Sequence, residues 1–84
     1  MTIYIVNSED NLVDCHRFIA DMFTTREKAE NYLLTKWRLA RSLKEKYKSR
    51  LKLDEEGRLC EVVITIRACY SSYLTYWIEP REIE

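Results

Sequence analysis

The chain has 84 residues, of which 46% are hydrophobic, and its 14 basic and 14 acidic side chains give a net charge of zero at pH 7. A length and an apolar content in this range predict one folded domain over residues 1–84 and exclude a disordered chain. No apolar run reaches the ~20 residues that a membrane-spanning helix needs, and residues 1–10 lack the pattern of a secretion signal, so a soluble protein of the cytoplasm is expected.

The first two predicted elements are β-strands. Residues 2–6, TIYIV, are β-branched and aromatic, and they end at a cluster of turn formers at positions 7–11. Residues 15–23, CHRFIADMF, alternate loosely, with Phe18, Ala20 and Met22 on one face. We expect these two strands to pair as an antiparallel hairpin with a long loop.

A long helix is predicted next. Thr24 is followed three residues later by Glu27, which is the pattern of a capping box, so the helix should begin at Thr24 or Thr25. Apolar residues then recur at spacings of three and four, with no Gly or Pro between them, at Ala29, Leu33, Trp37, Ala40, Leu43, Tyr47 and Leu51. This periodicity predicts a helix that runs to about Arg50.

The helical pattern stops around residues 51–58, which include Gly57, the only glycine of the chain. A residue with positive φ is needed both at many helix C-termini and in tight hairpins. The segment is therefore either a helix end or a hairpin.

The last part of the sequence predicts two more strands. Residues 59–70, LCEVVITIRACY, place Val62, Ile64, Ile66, Ala68 and Tyr70 on one face. Residues 74–78, LTYWI, should form the last strand, closed by Pro80. A three-residue turn at 71–73 would place Leu74, Tyr76 and Ile78 on the same face as Val62, whereas a two-residue turn would reverse that register and bury Thr75 and Glu79. The predicted fold is α+β: an antiparallel sheet of about four strands, β-β-α-β-β along the chain, with one long helix packed on one face.

Positive charge is concentrated in residues 36–52. This segment has eight basic residues and one acidic residue, Glu45, a net charge of +7, so the rest of the chain carries −7. On the predicted helix the side opposite the apolar stripe is shared by Arg38, Arg41, Lys48 and Lys52. Such a surface can bind an acidic protein or a nucleic acid, or it can be a solvated helix face. The zero net charge makes nucleic acid the weaker candidate.

A second candidate surface is the sheet face that points away from the core. Arg67, Tyr73 and Trp77 are predicted to lie there, and Trp, Tyr and Arg are the residue types most enriched at binding hot spots. The same face could instead be covered by the N-terminal strand or by a second copy of the chain. The apolar stripe near Tyr47 and Leu51, if it overhangs the sheet, also predicts a homodimer through the helix end.

No catalytic centre, cofactor site or metal site is predicted. His16 is the only histidine, and its neighbour Cys15 should face the opposite side of a strand. Cys15, His16, Cys60 and Cys69 have the ligand types of a zinc site, but no Cys-x-x-Cys is present, and Cys60 and Cys69 would face opposite sides of one strand. We therefore expect three reduced thiols and no enzyme activity.

The start of the chain carries a family resemblance. An opening strand IYIV, a second strand ending in MF, the phrase TTREKAENYL directly after it and a final sheet strand together resemble small uncharacterised proteins encoded by bacteriophages and other mobile elements. In those proteins a strand ending in Phe leads into Ser/Thr-x-x-x-Ala-x-x-Tyr on a helix. The resemblance covers residues 1–33 and brings no functional residues with it.

The resemblance implies a phage accessory protein that acts in the host cytoplasm by binding a host component, such as a defence protein. The sequence hypothesis is a small non-catalytic protein, encoded by a phage, that binds and inhibits or redirects a host protein. The alternative is a nucleic-acid-binding regulator that uses the basic second half of the helix.

Overall fold

The computed structural model describes residues 1–11 and 16–84, apart from the side chains of His16 and Tyr70. Over this part of the chain the elements are, in order, β1 (Thr2–Asp10), β2 (His16–Phe23), α1 (Arg26–Ser42), β3 (Tyr47–Leu53), β4 (Leu59–Ile66) and β5 (Cys69–Glu82). The α+β class, with a helix packed on an antiparallel sheet, is confirmed. The sheet has five strands rather than about four.

The strands lie in the order β2-β1-β5-β4-β3 across the sheet, and every pairing is antiparallel. The predicted pairing of the first two strands is confirmed, with Tyr4 opposite Phe23. The last strand, β5, is central and pairs with both β1 and β4. Because β2 and β3 are the two edge strands, α1 connects one edge of the sheet to the other and packs against one face.

The core lies between α1 and that face. Ala29 and Leu33 are fully buried and Ala40 is nearly so. They pack with alternate residues of the strands, namely Val6, Val62, Ile64, Tyr76 and Ile78. Trp37, which continues the same helical stripe, is half-buried against this cluster. The predicted phase of the helix is therefore confirmed from Ala29 to Ala40.

The helix is shorter than the sequence periodicity predicts. Its N-cap is Thr25, whose hydroxyl accepts a hydrogen bond from the Lys28 N–H at 3.3 Å, so the cap expected from Thr24 and Glu27 does not form. The helix ends at Ser42, after which the N–H groups of Lys46 and Tyr47 donate to the Leu43 carbonyl. These hydrogen bonds turn the chain back toward the sheet.

The predicted helical residues beyond this turn form strand β3 instead. Tyr47 and Leu51 are four positions apart, a spacing that returns to the same face in a helix and, because it is even, in a strand as well. Both side chains are half-buried against the core, so the expected apolar overhang does not exist. The homodimer predicted through the helix end therefore loses the surface on which it was based.

Residues 54–58 form a hairpin turn between β3 and β4, which decides between the two readings of this segment. Gly57 has a φ of 82°, and no other described residue has a positive φ. The Asp54 carboxylate accepts hydrogen bonds from the backbone N–H groups of Glu56 and Arg58, each at 2.9 Å. Arg26, in the first turn of α1, reaches the same carboxylate at 3.4 Å. Asp54 thus ties the hairpin to the start of the helix.

Replacement of Asp54 by Asn is expected to lower the melting temperature at neutral pH. The backbone hydrogen bond from Arg58 is the main cause that lowers the pKa of Asp54, with smaller contributions from Glu56 and Arg26 partly offset by desolvation. A lowered pKa in the folded state stabilises the fold above the unfolded pKa of ~3.9, and this contribution is lost as the pH falls through the folded pKa. The difference in melting temperature between parent and variant should therefore shrink below about pH 4.

Glu55→Gln is the matched control, because Glu55 lies in the same turn and its carboxylate bonds to none of the described residues. Thermal melts of the three proteins across this pH range measure the effect. Equal melting temperatures for Asp54→Asn and the parent at pH 7 would contradict the proposed role of the carboxylate.

The predicted strand over residues 59–70 is broken by a turn at residues 67–68, and residues 71–73 belong to β5 instead of forming a turn. Strand β5 also continues through Pro80, which was predicted to close it and which lies opposite Tyr4 of β1. Its pairing with β4 stops at Trp77, so at Pro80 the strand has β1 as its only neighbour among the described residues. A proline is tolerated there because its missing N–H can lie on the unpaired side.

Candidate protein-binding face

Within the described part of the chain, one face of the sheet has no helix packed on it. Because side chains alternate along a strand, the residues between the core positions point to this side, which we call the open face. The pairing register aligns them in rows across the sheet, and one row runs from β3 to β2 as Lys52, Glu61, Trp77, Asn7 and Ile19. The open face thus spans all five strands.

At one edge of the open face, β3 presents a row of cations. Lys48, Arg50 and Lys52 are exposed and alternate with half-buried Ser49 and Leu51. A shallow depression of about 270 Å³ lies between this row and β4, where Val63 and Thr65 line it. The edge strand therefore combines positive charge with a concave surface.

These three cations are not neutralised within the described part of the chain. None of them has a carboxylate within 4.0 Å there, whereas Arg17 pairs with Glu9 and Arg81 pairs with Glu79, each at 3.1 Å. Glu61 lies opposite Lys52 on β4, without forming an ion pair at that distance. The β3 edge consequently carries the unbalanced charge of the open face.

Trp77 lies near the middle of the open face. It is half-buried, directly between Glu61 of β4 and Asn7 of β1. Nearby Ile5 is only 2% exposed although it belongs to the side without the helix. Trp is among the residue types most enriched at binding hot spots, so the accessible part of Trp77 is a candidate contact.

The other edge of the open face is apolar. Ile19 and Met22 of β2 are 53% and 56% exposed, and the register places them opposite Asn7 and Ile5 of β1. Exposed apolar groups on the same sheet face as a central Trp are of the kind that marks protein interfaces. The open face therefore changes from cationic at β3 to apolar at β2.

The structure divides the residues that the sequence analysis grouped on one helix. Lys48 and Lys52 lie on β3 and share the open face with Tyr73 and Trp77, as the alternation of these strands requires. Arg38 and Arg41 lie on α1, in the other layer of the molecule. The four-residue basic helix face is therefore wrong, because the helix ends before Lys48.

Two of the arginines have structural contacts instead. The Arg41 guanidinium stacks over the Trp37 ring, 4.9 Å from its centroid. Arg67 lies in the turn between β4 and β5, where its Nε donates to the Lys44 carbonyl at 2.6 Å and its N–H donates to the Lys46 carbonyl at 2.9 Å. Arg67 thus holds the segment after α1 against the sheet, and its predicted place on the open face is wrong.

Like Ile19 and Met22 of β2, Arg50 is an open-face residue that sequence reasoning left out of the candidate site. On the predicted helix it did not share a side with Lys48 and Lys52. The signal that identifies it is the period of two in Lys48, Arg50 and Lys52, which is the period of a strand.

Two of the three cysteines, Cys60 and Cys69, belong to the described residues. Cys60 is half-buried and its thiol donates to the Lys52 carbonyl at 3.3 Å. Cys69 is exposed, and its pKa is lowered chiefly by the Ser71 hydroxyl and then by the Ser72 hydroxyl. Cys15 and the His16 side chain, the other members of the zinc set considered above, lie outside the described residues. Among the residues that are described, no three potential metal ligands cluster.

Comparisons with protein-family models, with curated protein sequences and with solved structures gave no match. Within the described ranges, no helix is long and apolar enough to cross a membrane. The geometry of the open face is therefore the main guide to function.

Proposed function

We propose that this chain is a small non-catalytic binding protein whose open face contacts an acidic surface of another protein. The observation that carries the proposal is the order of side chains across the open face of the described residues. Unpaired cations lie on β3, Trp77 lies in the centre and exposed apolar residues lie on β2. Each part has a physical role in recognition.

The cations on β3 determine which protein surfaces associate rapidly with the open face. Lys48, Arg50 and Lys52 face solvent without internal carboxylate partners among the described residues, so their positive potential extends outward. Such a potential accelerates encounter with an acidic surface and disfavours a basic one. The cations supply steering and selectivity more than affinity.

The centre and the far edge supply the buried area. Trp77 and Met22 can be desolvated by a partner without a cost for ordering the backbone, because the sheet already holds their backbone in place. Nucleic acid has no comparable use for the apolar residues at β2. In the context implied by the resemblance of residues 1–33, the partner is a host protein that the phage product inhibits or redirects, and a defence protein belongs to this class.

The test is site-specific photo-crosslinking in bacterial lysate, with benzoylphenylalanine placed at Thr75 of the open face. Thr75 lies between Tyr73 and Trp77 on the same side of β5. The control carries the same group at Thr35, an exposed threonine of α1. We expect adducts of discrete mass from the Thr75 variant only. Adducts from Thr35 alone, or none from Thr75 while the fold is intact, would contradict the proposal.

A nucleic-acid-binding function is the second candidate, supported by one feature of the structure. Cations that share a sheet face with a half-buried aromatic ring can bind single strands through phosphate contacts and base stacking. Anisotropy of a labelled oligothymidylate, measured over a salt series, tests it: tight binding that weakens steeply with salt would favour this function over protein binding.

A further inference from the structure

A groove runs between the C-terminal half of α1 and strands β3 to β5, on the side of the sheet opposite the open face. Its volume is about 250 Å³. The apolar residues that define it are Leu39, Leu43, Tyr47, Ile66 and Leu74, and one cationic residue, Lys36, also lines it. The groove therefore has an apolar floor and one positive group.

The groove is open because the helix ends early. Leu39 and Leu43 stand at its rim and are 59% and 43% exposed, unlike Ala40 between them, which is 4% exposed. After Ser42 the chain turns toward β3, so no further helical turn covers Tyr47 and Ile66. Large apolar side chains of the helix–sheet interface thus remain accessible from solvent.

Lys36 is positioned as the polar end of this groove. It is half-buried, and its Nζ lies 5.2 Å from the centroid of the Tyr32 ring and 5.7 Å from that of Tyr76. No carboxylate of the described residues lies within 4.0 Å of it. A neutral phenol gives Lys36 no counter-ion, and burial is the main cause that raises the pKa of Tyr76. An ammonium held between aromatic rings attracts an anion that enters from the groove.

We propose that this groove binds an alkyl carboxylate, with its chain among Leu39, Leu43 and Leu74 and its carboxylate on the Lys36 ammonium. The positive charge of Lys36 favours a ligand with an anionic end, and the apolar side chains of the groove favour a hydrocarbon chain. The volume is below the ~300–1,000 Å³ of typical drug-sized sites, so a medium-chain fatty acid is the class that fits. This site lies in the other layer from the open face, so it is a separate function from protein binding.

Octanoate is the probe, and binding is measured by calorimetry and by amide chemical shifts of the intact chain. Lys36→Met keeps the apolar stem and removes the charge, and it should weaken octanoate binding about five- to tenfold. Lys36→Arg should restore most of the affinity. Lys28→Met, at an exposed lysine of the same helix, is the matched control and should leave the affinity unchanged.

Octanol tests the role of the carboxylate directly, because it has the same alkyl chain without the charge. We expect octanol to bind more weakly than octanoate to the parent and equally well to the parent and Lys36→Met. The proposal is overturned if octanoate does not bind, if Lys36→Met binds it as tightly as the parent, or if the shifted amides belong to β1 and β2 rather than to the C-terminal half of α1. Circular dichroism of each variant establishes that a lost affinity does not come from lost folding.

Discussion

Leu33→Ala is expected to reduce the free energy of unfolding by about 3–4 kcal/mol, the largest effect of any substitution considered for this chain. Leu33 is 0% exposed and lies near the middle of α1, where it packs in the cluster formed with Val62 and Ile78. Truncation removes the transfer free energy of the side chain and leaves a cavity that the flanking strands can only partly fill. For a domain of this size the melting temperature should fall by roughly 15–30 °C.

Leu39→Ala makes the same chemical change on the same helix, at a side chain that is 59% exposed. It should leave the melting temperature nearly unchanged, since little apolar area is lost and Ala favours a helix slightly. Thermal and urea denaturation of both variants measure the contrast. Similar destabilisation at the two sites would mean that α1 packs on the sheet with a different rotation.

The second large effect is expected for binding. Reversal of both Lys48 and Arg50 to Glu should slow association with the protein captured through Thr75 by about tenfold or more, because it replaces a positive edge with a negative one. Added salt should slow association of the parent, because it screens the attraction, and should not slow association of the variant, whose reversed charges repel an acidic partner. Stopped-flow or surface-plasmon measurements of the association rate over a salt series give both quantities.

Reversal of Arg38 and Arg41 to Glu is the matched control, because it changes the net charge equally on the other layer of the molecule. It should preserve fast association, apart from the weaker long-range effect of overall charge. Melting curves must accompany both variants, since Arg41→Glu also removes the stacking of a guanidinium on Trp37. Equal losses from the two reversals would show that net charge, rather than the β3 edge, controls association.

The parts of the fold that local chemistry determines could be predicted from the sequence. Alternation in residues 62–66 predicted a strand with Val62 and Ile64 facing the core, and both are buried. The spacing of Ala29, Leu33 and Ala40 predicted the helical stripe, and these are buried residues of α1. In each case several successive residues agree on one period, so few alternatives remain.

Strand β3 could not be distinguished from a helix by the same reasoning. The sequence YKSRLKL has apolar residues at its first, fifth and seventh positions, and its polar positions are Lys, Arg and Ser, which do not favour a strand. What forms the strand is its partner: Leu51 lies opposite Val62 and Tyr47 opposite Ile66, which gives each a half-buried position in the core. Tertiary packing overrides local propensity here.

This error also displaced the candidate site. The assignment of Lys48 and Lys52 to the back of a helix separated them from Trp77, whereas pairing of β3 with β4 and of β4 with β5 places all three on one sheet face. The turn at residues 67–68 could not be predicted from the sequence either, because it contains neither Gly nor Pro. It is held by hydrogen bonds from Arg67 to backbone carbonyls more than 20 positions earlier.

The central position of β5 determines the order in which this sheet can be assembled. The β1–β2 hairpin and the β3–β4 hairpin have no pairing with each other, and β5 lies between them. A ribosome makes residues 69–82 after both hairpins, so the nascent chain holds two separate sheet fragments, joined by α1, until β5 has emerged. During that interval β1 and β4 each present an unpaired edge to the cell, which is the state in which a β-rich chain is most prone to aggregate.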